Sequence, residues 1–202
     1  VLELSFSSWE SFISRQKPLT SEWLNNAKES KFKECVSDST GLNLSNLKFI
    51  TAVLVFIKIF KRELKDEKNI GILLPSSSIA AIVNMALLAM GKVSVNLNYT
   101  LNETSLNHAL RKANINTVIT SSKFLEKLAL KGFDLKDAMS GRAKFAEDLS
   151  ASVSKKEKFL ALLTAFFAPT WLIKLCYFKR VSLEDTATIL FSSGSEGEPK
   201  GI

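Results

Sequence analysis

An α/β fold with a mainly parallel sheet is predicted by three observations. Between residues 45 and 130, short apolar runs alternate with segments of helical periodicity. A last apolar run, Asp185–Phe191, leads directly into a segment rich in Ser and Gly. Finally, 202 residues at 46% hydrophobic and 23% charged suffice for one large domain or two small ones, with no disulfide or metal required. Composition also excludes a disordered tail, a collagen-like fibre and a disulfide-rich secreted module.

In chain order, residues 1–45 are polar with small apolar clusters, and a lead-in of short helices or loops is expected over 1–44. Ser45 stands where an N-cap belongs, ahead of Phe49, Val53, Phe56, Ile57, Phe60 and Leu64 at helical spacing. Asn69-Ile-Gly-Ile-Leu-Leu-Pro75 is an apolar run stopped by Pro, hence a buried strand. Ser76, Ser77 and Ser78 are N-cap candidates for an apolar helix from Ile79 to Met90, which Gly91 closes. Val93–Val95 is a second strand and Asn102–Asn114 a helix with Leu106, Leu110 and Ala113 on one face. Thr117–Thr120 is a third strand, and Lys123–Leu130 a further helix. Residues 131–154 show no clear pattern.

From Phe159 to Tyr177 lies a strongly apolar stretch of 19 residues. Lys155, Lys156 and Lys158 precede it, and Lys174, Lys179 and Arg180 sit at its close. A transmembrane span is disfavoured because Pro169 and Lys174 interrupt it. Two readings stand equally. One is a helix lying in the plane of an anionic membrane surface, with Phe, Trp171 and Tyr177 inside; the other is a buried core helix or a lid over a binding tunnel.

The net charge of +7 is moderate and carried by Lys, without the Arg-aromatic stripe or motif of a nucleic-acid binder. Nucleic acid is therefore not an expected partner. Cys35 and Cys176 lie far apart with no metal-ligand spacing and are expected to be buried or idle thiols in a reducing compartment. No secretory pattern is visible in Val1–Trp9, so exposure to the cytosol is expected. His108, the single His, is assigned a surface or packing role.

Only 8 residues are Gly, against about 14 at ordinary usage, and Gly194, Gly197 and Gly201 fall within the last nine. They belong to Ser192-Ser-Gly-Ser-Glu-Gly-Glu-Pro-Lys-Gly201. Small residues let backbone N–H groups approach a polyanion, hydroxyls of Ser192, Ser193 and Ser195 donate to phosphate oxygens, and Lys200 adds a mobile positive charge. The nucleotide P-loop pattern fails here: Pro199 precedes Lys200, and Gly201 replaces the hydroxyl that would hold Mg²⁺. A bland Gly/Ser turn is the alternative, yet three hydroxyls and a Pro-Lys-Gly ending after a buried strand are rare in ordinary turns.

Phe191–Gly201 closely resembles the phosphate-binding loop of adenylate-forming enzymes, the group of acyl-CoA synthetases, nonribosomal adenylation domains and luciferases. Ile70–Pro75, Leu87–Gly91, Val95–Leu101 and Thr117–Thr120 are similar to that family's early segments in order and spacing. The resemblance covers about residues 45–202. It implies the front portion of an N-terminal AMP-binding domain over 45–202, with 151–180 a basic-apolar insertion. It also implies ATP and Mg²⁺ as cofactors, and Ser192, Ser193, Gly194, Ser195, Glu196, Gly197, Lys200 and Gly201 as the ATP-phosphate site. No catalytic or metal-binding residue is implied within this segment. Glu196 departs from the Thr that most members carry. With Val95-Asn-Leu-Asn-Tyr-Thr100 upstream, that variant is similar to bacterial acyl-acyl-carrier-protein synthetases of the 2-acylglycerophosphoethanolamine acyltransferase type. That likeness implies fatty acid and acyl carrier protein as partners, lysophospholipid reacylation as the outlet, and a place at the cytoplasmic face of the inner membrane. The family's other working parts follow the loop, so these 202 residues alone are expected not to form acyl-AMP. A fatty acyl-CoA ligase and a non-catalytic membrane or protein-docking module are the alternatives.

Overall fold

The structure, a computed structural model, describes residues 16–39, 41–64, 66–100, 103–192 and 200–201. Residues 19–45 form a helix, α1 (Leu19–Glu29), and an antiparallel pair, β1 (Glu34–Ser37) with β2 (Asn43–Ser45). Leu24, Ala27 and Leu44 from this segment are buried in the same core as the next helix, α2 (Asn46–Glu63). The expected cap is present: Ser45 Oγ accepts from the Lys48 N–H at 3.4 Å. Asn46 Nδ2 donates to the Ser30 carbonyl at 2.9 Å and ties the start of α2 to the end of α1.

The alternating elements follow as the apolar pattern predicts. They are β3 (Asn69–Leu73), α3 (Ser78–Ala89), β4 (Val93–Asn96), α4 (Glu103–Lys112), β5 (Val118–Thr120) and α5 (Ser122–Leu130). Of the three candidate serines, Ser77 caps α3, accepting from the Ala80 N–H at 3.4 Å. Gly91 closes α3 at φ +64°, a conformation that only Gly adopts without strain. The Lys179 N–H reaches back to the Ala89 carbonyl at 2.8 Å, so a later segment crosses over this corner.

Residues 131–154, which lack a readable pattern, hold α6 (Lys136–Met139), β6 (Ala143–Phe145) and α7 (Ala146–Ala151). The chain then forms α8 (Lys155–Phe167), α9 (Thr170–Tyr177), β7 (Thr188–Ser192) and β8 (Lys200–Gly201). β6 escapes a sequence reading because three half-buried residues, Ala-Lys-Phe, make no apolar run. Its pairing with β5 (Thr120 opposite Phe145) defines it as a strand. The sheet order is β6-β5-β3-β4-β7-β8, the first five strands parallel and β8 antiparallel to β7.

Two apolar layers cover this sheet. β3 leads through α3 to β4 on one side, whereas β4 leads through α4 back past β3 to β5. Right-handed crossovers running in opposite directions place their helices on opposite faces. Accordingly, Ile82, Val83, Ala86 and Leu87 of α3 share a core with α2 and with Ile70 and Ile72. Leu106 and Leu110 of α4 pack with Leu73, Val93, Val95, Val118 and Leu128. The period-2 alternation of β4 sends Val93 and Val95 to one layer and Ser94 and Asn96 to the other. α2 is buried over most of its circumference because α1, α3 and α8 all pack on it.

The apolar stretch after residue 154 is two helices broken at Ala168-Pro169, and no helix among the described residues is long and apolar enough to cross a membrane. α8 begins with a capping box between Ser154 and Glu157, and Glu157 pairs with Arg62 of α2 at 3.1 Å. Lys28 Nζ donates to the Ala165 carbonyl (2.8 Å) and Lys31 Nζ to the Phe166 carbonyl (3.2 Å), satisfying the end of α8 with cations. Neither helix is a buried core helix. Both cysteines are free thiols and exposed, so of the two expected states, buried or idle, burial does not apply. Cys35 sits on the short edge strand β1, and Cys176 is in the last turn of α9.

Candidate functional site

In open parallel sheets, ligands bind outside the carboxyl ends of the strands, where successive crossovers diverge to opposite faces. Here that point lies between β3 and β4, with β7 next to β4. Three connections meet there: Leu74–Ser77 after β3, Leu97–Thr100 after β4, and the loop after β7.

Each described connection is held by local chemistry. After β3, Ser77 Oγ donates to the Pro75 carbonyl at 3.0 Å, and Asp38 Oδ2 accepts from the Ser78 N–H at 2.9 Å. A carboxylate of this chain therefore occupies the positive end of α3. After β4, Asn98 Oδ1 accepts from both the Thr100 N–H (2.9 Å) and Thr100 Oγ1 (2.8 Å), a side-chain-stabilised turn. Tyr99 stands edge-on to Phe124 of α5, with ring centroids 5.3 Å apart, which anchors this turn to the opposite layer.

The proposed phosphate loop is framed by a hairpin. Phe191 pairs with Gly201 and Ser192 with Lys200, so the chain leaves at the end of β7 and is next described on β8, on the side of β7 away from β4. β7 itself is registered on β4, with Ile189 opposite Val95 and Leu190 opposite Asn96, and Thr188 Oγ1 donates to the Ser94 carbonyl at 2.7 Å. Of the predicted site residues, Ser192, Lys200 and Gly201 are thus placed by their backbone at the carboxyl end of the sheet. Ser193, Gly194, Ser195, Glu196 and Gly197 lie outside the described residues. A loop pinned at both ends in this way can present several backbone N–H groups toward one centre, which is the arrangement a polyanion requires.

The supporting residues that sequence reasoning passed over are Asp38, Asn84 and Thr188; Asn96 enters it only as part of the Val95–Thr100 segment. Asn84 carried a signal: it is the one amide in the otherwise apolar run Ile79–Ala89. It exchanges hydrogen bonds with Asn96 across the α3–β4 interface. Asp38 carried none, because its partner is 40 residues away.

Charge perturbations among the described residues lie elsewhere. Burial holds Lys92 below the usual lysine range, where its ammonium donates to the Glu67 carbonyl at the amino end of the sheet. Glu67 Oε1 there also accepts from Thr117 Oγ1 at 2.8 Å. This cluster ties β3, β4 and β5 together at the end away from the loop, a structural role. His108 is half-buried in mid-α4, and no group of three or more His, Cys, Asp or Glu side chains among the described residues could hold a metal ion.

The fold has close counterparts. The crystal structure of VinN superposes with a TM-score of 0.70 at 18% identity, covering 93% of this chain and 43% of that one. The o-succinylbenzoate CoA synthetase of Bacillus subtilis, in complex with an acyl-adenylate intermediate, gives 0.66 at 15% identity over 92% and 42%. The same enzyme in complex with ATP and magnesium ion gives 0.63 at 14% identity over 89% and 42%. The chain thus spans less than half the length of these structures. The family model for the AMP-binding enzyme matches residues 52–202, from mid-α2 to beyond the β7–β8 hairpin. With the parallel sheet and the hairpin-framed loop in place, this match establishes that the chain belongs to the AMP-binding enzyme family, the adenylate-forming superfamily.

Proposed function

We propose that the chain is the ATP-phosphate-binding front portion of a ligase that activates a fatty acid as acyl-AMP and passes it to the thiol of an acyl carrier protein. That product would supply reacylation of a lysophospholipid such as 2-acylglycerophosphoethanolamine. The observation that carries the reading is the β7–β8 pairing, which sets Ser192 and Lys200, the two ends of the Ser/Gly/Lys run, at the carboxyl end of the sheet. The form of the loop around Glu196, with Asn96-Leu-Asn-Tyr-Thr100 at the end of β4, supports the carrier-protein subtype.

The chemistry asks the loop for electrostatics. The fatty-acid carboxylate oxygen attacks the α-phosphorus of ATP, the bond to the bridging oxygen of the β-phosphate breaks, and pyrophosphate leaves. Backbone donors, the hydroxyls of Ser192, Ser193 and Ser195, and Lys200 would hold the β,γ-phosphates as their charge rises. Positioning matters more than covalent help in such a transfer. The carrier thiolate then attacks the acyl carbonyl and AMP departs. Magnesium would enter with the nucleotide as MgATP. Among the described residues no group of three or more His, Cys, Asp or Glu side chains could hold it independently of the nucleotide.

Coenzyme A as the acceptor is favoured by one observation, the name of the Bacillus subtilis CoA synthetase that shares this fold. ATP–pyrophosphate exchange by the complete protein carrying this chain tests the reading. Exchange is expected to depend on a fatty acid and to fall about a hundredfold in Lys200→Ala. Absence of exchange with any fatty acid would overturn it. Comparing acyl carrier protein with coenzyme A as thiol acceptor then decides between the two ligases.

A further inference from the structure

We infer that the outward face of α8 and α9 is a docking surface for an anionic lipid bilayer. This inference stands apart from the adenylation reading and rests on how the two helices are turned.

α8 presents its small side chains to the protein and its large ones to solvent. Ala161 and Ala165 are fully buried against α2, whereas Phe159, Leu160, Leu163 and Phe167 point out, and Trp171 and Leu175 extend the face along α9. Among the described residues, fourteen large hydrophobic side chains are exposed, and seven of them lie between Phe159 and Leu175. Such a concentration is a contact surface, not the scatter found on any soluble protein.

Charge identifies the occupant. Residues 155–180 hold six cations (Lys155, Lys156, Lys158, Lys174, Lys179 and Arg180) against the single acid Glu157. Their net charge is 6 − 1 = +5 of the chain's +7, so the remaining 176 residues carry only +2. Glu157 is itself paired with Arg62. Large exposed apolar and aromatic side chains flanked along the chain by cations at both ends match the headgroup boundary of an anionic membrane, whereas a purely apolar protein groove would leave those cations uncompensated.

A groove of about 560 Å³ beside the face continues the match. Trp171 and Leu175 form its apolar side, and Lys174, Lys179 and Arg180 its cationic side. Lys174 also donates to Asn25 Oδ1 at 3.0 Å, which fixes that wall to α1. Its chemistry suits a lipid phosphate whose acyl chains lie on the helix face.

Orientation follows from length and pinning. α8 has 13 residues and α9 has 8, or about 20 and 12 Å. Both are short of the roughly 30 Å hydrocarbon layer. Pro169 separates them; Lys28 of α1 and Lys31 just after it hold the end of α8 beside this corner, and Arg62 of α2 holds the start of α8. The pair therefore lies along the surface.

Co-sedimentation of the complete protein carrying this chain with phosphatidylcholine vesicles, with and without a third of phosphatidylglycerol, tests this. Binding is expected only with phosphatidylglycerol. The triple variant Phe159→Ser, Phe167→Ser and Trp171→Ser is expected to lower partitioning about tenfold or more. Those side chains are 59%, 74% and 63% exposed, so circular dichroism and melting should not change. Lys155→Glu with Lys156→Glu should lower it several-fold for each residue. Acyl-brominated lipid is expected to quench tryptophan fluorescence through Trp171, and Trp171→Phe to remove most of the quenching. Failure to bind, equal binding to both vesicles, or an unaffected triple variant would overturn the inference. So would a vesicle-independent dimer that the triple variant dissolves, which would assign the face to a second copy of the chain.

Discussion

Asn84 on α3 and Asn96 at the end of β4 exchange two side-chain hydrogen bonds, Asn84 Nδ2 to Asn96 Oδ1 at 3.2 Å and the reverse at 3.1 Å. The pair fastens α3 to the strand end from which the Leu97–Thr100 turn departs, beside β7. Replacing either residue by Ala leaves a half-buried amide short of a partner, at a cost of about 1–2 kcal/mol. A double-mutant cycle by urea unfolding should give a coupling above about 0.5 kcal/mol. Additive losses would show that the two amides act separately.

Gly71, in the middle of β3, is enclosed. A Cβ there would lie 3.0 Å from Val118 Cγ2 and 3.1 Å from both Ile115 Cγ2 and Leu97 Cδ1. Three side chains would have to yield together, so Gly71→Ala is expected to destabilise by about 1–3 kcal/mol. Gly71→Ala combined with Val118→Ala should recover part of that loss; a melting temperature unchanged by Gly71→Ala would show that the layer can relax freely.

Acid should weaken two exposed carboxylate contacts, one between distant segments and one within a helix cap. A hydrogen bond from Lys144, then its charge, holds the Glu63 carboxyl below the usual glutamate range, with Nζ at 2.8 Å. Backbone and hydroxyl donors of Ser154 do the same for Glu157. Both folded-state values are depressed, so the stabilisation is present above the unfolded value, about 4.3, and is lost as pH falls through the folded ones. Solvent screening keeps each effect small. The drop in melting temperature between about pH 7 and about pH 3 should be smaller in Glu63→Gln and Glu157→Gln than in the parent.

Glu196→Thr tests the residue at which the loop departs from most adenylate-forming enzymes. In the complete protein, pyrophosphate exchange is expected to stay within severalfold of the parent, because backbone N–H groups and Lys200 carry the phosphate charge. Collapse of exchange would assign Glu196 a direct role.

Much of the fold was legible because burial leaves a local trace. Ile70–Leu73 and Val118–Ile119 are buried on both faces of a parallel sheet, so they appear as uninterrupted apolar runs, and Val93 and Val95 remain legible on either side of the buried Ser94. Ser45, Ser77 and Gly91 mark helix ends through caps spanning a few residues. β6 and the β1–β2 pair left no such trace, since their residues are at most half-buried apart from Leu44, and backbone pairing alone defines them. The site divided along the same line. Ser192 to Gly201 declared itself by residue type, whereas Asp38 at the start of α3 and Asn96 against Asn84 depend on partners that only folding brings near.

The run of small and charged residues from Ser192 to Gly201, and the apolar stretch from Phe159 to Tyr177, were determined by sequence alone. Their chemical character resides in side chains that need no neighbour. Where each one points was decided by tertiary structure. Pairing of Ser192 with Lys200 sets both ends of that run at the carboxyl end of the sheet. Packing of Ala161 and Ala165 against α2 turns Phe159, Leu163 and Phe167 toward solvent. A helix apolar on every side has no preferred inward face of its own, so the close fit of small side chains against α2 made that choice.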